Sequence, residues 1–157
     1  MDAILAVELH LHDFVISGVA GLVGAILSHL ALVPYRDAQG PLTVVAGAVL
    51  RRERAEVPKA FAHLQYLCIG VLGGLLYIAM WPWFYEHQPL GAYHSGLAAL
   101  VVVSLVFLLI VEIPTRLETL PRPRRVRQRW TVAMAIYGTS LVLGFPFFAR
   151  LLGPWVF

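Results

Sequence analysis

The sequence predicts an all-α integral membrane protein, a bundle of four transmembrane helices, and three observations carry that prediction. The chain has 157 residues, of which 59% are hydrophobic and only 13% charged, whereas soluble domains carry about a quarter charged residues. Its apolar residues gather in four long runs, roughly 13–34, 60–83, 91–113 and 130–149. Each run can cross about 30 Å of hydrocarbon as a helix, which also satisfies its own backbone hydrogen bonds. Finally, the cations sort by connecting segment instead of forming a stripe. Continuous apolar runs replace the alternating pattern that a membrane barrel requires. A single integral membrane domain, 1–157, accounts for the whole chain.

Orientation follows from the cations. Eleven of the twelve Lys and Arg residues fall in two places: Arg36, Arg51, Arg52, Arg54 and Lys59 after the first run, then Arg116, Arg122, Arg124, Arg125, Arg127 and Arg129 after the third. The positive-inside rule makes 35–59 and 114–129 basic cytoplasmic loops and puts both termini outside, in a plasma (inner) membrane. Trp81, Trp83, Phe84, Tyr85 and Tyr93, with Trp155, then form an outer aromatic belt. Because the net charge of +3 is a topology signal, nucleic acid is not an expected partner. Arg122, Arg124, Arg125, Arg127 and Arg129 are expected to meet anionic lipid headgroups. The apolar stretch "PLTVVAGAVL" in the first loop is too short to span and predicts an interfacial or re-entrant helix.

Two simple counts narrow the chemistry. Cys68 is the only cysteine, which excludes an intrachain disulfide, a Cys-x-x-Cys metal knuckle and covalent c-type haem. The start, "MDAILAVELHLHD", carries acids and no Lys or Arg, so the first run is expected to be a retained span and not a signal peptide.

A parallel two-plus-two repeat is visible in outline. His12 leads through an apolar run to "VPYR", His94 leads through another to "IPTR", and each exit precedes a basic segment and a further span. Such a repeat implies an approximate two-fold axis along the membrane normal.

Residues seven, eleven or eighteen apart share a helix face. His29 thereby shares the small-residue face of Gly18 and Ala25, and His63 the stripe of Gly70, Gly74 and Trp81, flanked by Tyr66 and Tyr77. Gly70-x-x-x-Gly74 is a small-x-x-x-small pattern that lets helix backbones approach closely. His29 precedes Pro34 and His63 follows Pro58 by the same number of residues, so both lie about 7 Å inside the cytoplasmic end at the usual helical rise. Glu112 lies near that same end.

Three readings compete for this inner cluster. His29 and His63 have the type and depth of the axial ligands of a b-type haem. With Glu112 they could instead bind a metal ion or relay protons. The structural reading has both histidines bonding across helices while Glu112 pairs with Arg116. On the outer side, His12 and His94 are the repeat-related candidates for ligating a second haem or a metal.

The sequence has no Ser-His-Asp constellation, nucleophile elbow, His-Glu-x-x-His or Walker motif. The leading expectation is therefore a non-catalytic integral membrane subunit or anchor, of a respiratory or electron-transfer complex. It would bind other membrane subunits through its small-residue helix faces. A b-type cytochrome using His29 and His63, with haem b as cofactor, is the alternative. A small membrane enzyme or metal- or proton-handling protein comes third.

Overall fold

The computed structural model describes residues 11–87, 94–113 and 123–152, and every regular element among them is helical. The first helix, α1 (Leu11–Leu32), ends as the chain reaches Pro34, with a Tyr35 N–H to Leu32 carbonyl bond of 2.9 Å closing its last turn. A 3-10 turn, Arg36–Gln39, leads into α2 (Gly40–Leu50), which carries Pro41 in its first turn, where the missing N–H has no partner to lose. Arg51 stops α2 by adopting a left-handed φ of 53° while the Arg52 N–H bonds the Gly47 carbonyl at 3.0 Å. For a non-glycine residue that conformation costs on the order of 1 kcal/mol. Pro58 opens α3 (Lys59–His87), its carbonyl accepting from the Phe61 and Ala62 N–H groups. The next helix, α4 (His94–Phe107), widens into a π turn over Leu108–Glu112. Last comes α5 (Pro123–Leu152), with Pro146 in its interior.

Three helical stretches, Leu11–Leu32, Lys59–Trp81 and Arg124–Leu152, are long and apolar enough to cross a membrane, and Gly96–Glu112 is a shorter apolar helix. The helices are apolar outward as well as inward: Leu64, Leu72, Leu100, Val132 and Leu143 are 59–64% exposed. An apolar surface on both sides of a helix is what a lipid-facing bundle requires.

The fourth apolar run starts earlier than hydropathy alone suggests. Part of the segment expected as a basic loop is helix, because Pro123 begins α5 and Arg124, Arg125, Arg127 and Arg129 occupy its first turns. Val126, Trp130 and Ala133 at helical spacing are buried there, while Arg124, Arg125 and Arg127 face out. The short apolar stretch in the first loop is the helix α2.

The long helices form a ring in which α1 packs on α3 and α5, and α4 packs on the same two. The tightest seam joins α1 to α3. A Cβ on Gly21 would run into the Gly70 carbonyl oxygen, one on Gly70 into the Ala25 side chain, and one on Gly74 into the Ser17 carbonyl oxygen. Ser17 Oγ also donates to the Gly74 carbonyl at 2.6 Å. The small-residue faces of α1 and α3 are thus consumed within the chain. Trp130, Tyr66, Tyr77 and Tyr137 are fully buried between the helices, and the Tyr137 hydroxyl donates to the Gly70 carbonyl at 2.7 Å. Ahead of Pro146, Ser140 donates to the Ile136 carbonyl at 2.8 Å. That is an ordinary i−4 back-bond and does not reach the carbonyl which the proline leaves open.

Candidate functional site

The last turn of α1 and the second turn of α3 meet at one end of the seam, and there His29 and His63 face each other. Their ring centroids are 4.6 Å apart with an interplanar angle of 65°, an edge-to-face contact. The shared depth expected from Pro34 and Pro58 is thus realised as direct contact. Tyr66, one turn beyond His63, has its ring 5.8 Å from that of His29. Its hydroxyl lies 2.6 Å from Ser28 Oγ, and Ser28 Oγ lies 3.1 Å from the Ala25 carbonyl. Since the single Ser28 proton goes to that carbonyl, Tyr66 is the donor to Ser28. Tyr66 also stands edge-on to Trp130 at 5.6 Å, and Trp130 Nε1 donates to the Ala38 carbonyl at 2.8 Å. This chain of contacts ties α1, α3, α5 and the turn before α2 into one end of the bundle.

The Nδ1 atoms of both histidines are buried and make no hydrogen bond. A buried nitrogen without a partner costs about 1–3 kcal/mol. A cavity of about 790 Å³ opens beside the pair, lined by His63 together with Gln39, Thr43, Arg54 and Lys59.

As the two rings stand in this structure, they leave no room for a porphyrin between them. An iron shared by two imidazoles holds their centroids about 6 Å apart on opposite sides of the metal, given metal–nitrogen bonds of about 2.0 Å. The rings here touch at 4.6 Å, and one turn from His29 the helices are in contact through Ala25 and Gly70. Admitting a macrocycle would require parting the glycine seam. A small ion is a different matter, since two imidazoles in contact can both turn toward it, but two ligands are fewer than the three or four of a typical zinc site.

Glu112 does not join them. It sits at the end of the π turn and pairs with Arg127 of α5, whose Nε lies 3.2 Å from Oε2 and whose Nη2 lies 3.3 Å from Oε1. Among the described residues, no three His, Cys, Asp or Glu side chains gather as a metal site. The expected partner Arg116 lies outside the described residues, as do Arg122 and the aromatics Tyr93 and Trp155. At the opposite end, His12 Nε2 is 3.1 Å from Asp13 Oδ1. The side chain of His94 lies outside the description, and with it the expected pairing of His12 with His94.

Sequence reasoning missed the basic cavity and the Trp130 link. Trp130 is the first residue of the fourth apolar run, directly after the arginine-rich segment, and hydropathy does not mark it as buried; the helical spacing of Val126, Trp130 and Ala133 was the available signal. Arg129 is another such residue. It pairs with Asp37 and lies over the Tyr35 ring, 4.0 Å from its centroid.

These features place the chain in the class of all-helical proteins with membrane-length helices. Comparison with family models, curated proteins and solved structures finds no match.

Proposed function

We propose that the chain is a non-catalytic integral membrane subunit or anchor that crosses a plasma (inner) membrane four times, with both termini outside. The observation that carries this reading is the use of polar side chains inside the bundle. Ser17, Tyr66, Trp130 and Tyr137 are all engaged in bonds that join one segment to another, the pattern of a packing core and not of a reaction centre. The topology draws support from the Arg129–Asp37 pair and the Trp130–Ala38 bond, which hold the basic start of α5 against the turn before α2, as one cytoplasmic side requires. The α4 helix with its π turn is near the lower end of the roughly 17–25 residues a span needs.

Because the glycine faces of α1 and α3 are closed against each other, a partner subunit would sit on the α4–α5 side. There Gly96, Ala99, Ala135 and Gly138 line an apolar groove of about 360 Å³, and small residues let a neighbouring helix approach. Native electrophoresis of mildly solubilised membranes tests the reading: the chain should migrate with a stoichiometric partner. A monodisperse lone chain under several mild detergents would overturn it. A reduced-minus-oxidised spectrum of the same preparation, made with full haem supply, should be featureless. A Soret band lost in His29→Ala would instead establish the cytochrome alternative.

A further inference from the structure

We propose that the cavity between α2 and the start of α3 is a binding site for a phosphate-bearing anion, gripped by Arg54 and Lys59 with His63 at its inner wall. Its volume of about 790 Å³ falls within the range of small-molecule sites. Among the described residues no carboxylate lines it, although Arg54, Lys59 and His63 all do. Glu53 and Glu56, the acids of the same loop, are exposed outside it.

Arg54 is held ready for a ligand. Its Nε donates to Thr43 Oγ1 at 3.0 Å, and the Thr43 hydroxyl proton is directed to the Gly40 carbonyl at 2.8 Å. This orients the guanidinium through its inner nitrogen and leaves both terminal amino groups, the fork that matches two phosphate oxygens. A second cavity, of about 430 Å³, lies against the first, shares Thr43 and Arg54 with it, and adds Arg51 and Arg52. Four cations therefore surround one short helix, and no acid among the described residues lines either cavity. Such a field attracts an anion of concentrated charge.

His63 stands in the wall of the same cavity, and an imidazole can exchange a hydrogen bond with a phosphate oxygen or its proton. The remaining wall, with Val33, Leu42 and Val57, is apolar and would suit the start of an acyl chain. A basic pocket between helices on the cytoplasmic side is also where an anionic lipid headgroup binds. That source rests on the membrane reading, whereas the anion chemistry does not.

The test uses the full chain in neutral detergent, with phosphatidylglycerol, phosphatidylcholine and sodium phosphate as separate probes and native mass spectrometry as the readout. The wild type should retain phosphatidylglycerol in preference to phosphatidylcholine. The double variant Arg54→Gln/Lys59→Gln should bind it roughly tenfold or more weakly, as expected for loss of charge-assisted hydrogen bonds, and Arg150→Gln at the far end of the bundle should bind as wild type. If sodium phosphate binds alone and displaces the lipid where sodium chloride of equal ionic strength does not, the natural ligand is a free phosphate compound. If it does not, the ligand is the headgroup. Retention of neither probe, or equal retention by wild type and double variant, overturns the proposal. Should circular dichroism find the double variant unfolded, Arg54→Lys decides: it keeps the charge but loses the fork, and undiminished binding by that variant would likewise overturn the site.

Discussion

The pairs α1–α3 and α4–α5 are each rich in small residues, yet only the first closes to backbone contact. In α3, Gly70 and Gly74 are one turn apart and meet Ser17, Gly21 and Ala25, which recur at the same interval on α1. In α5 the neighbours of Gly138 at that interval are Met134 and Val142, and in α4 the neighbour of Gly96 is Leu100. The second pair consequently keeps its backbones apart, and apolar cavities of about 360 and 500 Å³ run along it. Small residues bring helices together when they stack as a stripe on both partners, not when they are merely frequent. If the chain is a two-plus-two repeat, its halves have kept the ring of neighbours and diverged in how each pair closes.

The sharpest way to break this contrast is Gly74→Ala. The new methyl group would meet the Ser17 carbonyl carbon at 3.0 Å and its oxygen more closely still, and both belong to backbone that cannot rotate away. The helices would have to part, with loss of the Ser17–Gly74 hydrogen bond, at an expected cost of about 3 kcal/mol. Unfolding in mixed micelles of rising SDS content, followed by far-UV circular dichroism, measures it. Wild-type stability would mean that the seam is looser than its geometry.

A smaller effect is expected from Tyr137→Phe, which removes a hydroxyl bonded to the Gly70 carbonyl at 2.7 Å and leaves the ring in place. That carbonyl keeps its own helical partner, so about 1 kcal/mol should be lost in the same titration. A loss as large as that of Gly74→Ala would show the seam to depend on the tyrosine and not on backbone contact.

Much of this arrangement is legible in the sequence because helical periodicity is a local property. The Gly70-x-x-x-Gly74 stripe, the shared depth of His29 and His63 and the helix in the first loop all follow from spacing within one segment. What escapes depends on how segments meet. Spacing within its own segment does not reveal that Glu112 meets another helix: the early start of α5 at Pro123 is what brings Arg127 within 3.2 Å of it. The Arg54 cavity exists only because α2 folds back over the beginning of α3, and no spacing along the chain encodes that. The haem reading asks for two histidines at one depth, and the bundle supplies them. Glycines able to make room for a cofactor can equally remove the room by letting the helices touch, and spacing does not distinguish the two.

The smallest effect should also be the one that separates the two pairs most clearly. Gly138→Ala puts a methyl group 2.8 Å from Val103 Cγ2, the end of a side chain that can shift into the adjoining cavity. Gly96→Ala meets nothing within 4 Å. Each alanine also gains about 0.5–1 kcal/mol of helix preference over glycine. For Gly96 nothing opposes that gain, so the variant should be more stable than wild type by about that amount in the SDS titration. For Gly138 the gain and the crowding should nearly cancel. If both variants lost stability as Gly74→Ala is expected to, the α4–α5 pair would be as closed as α1–α3, and the groove offered to a partner helix would not be there.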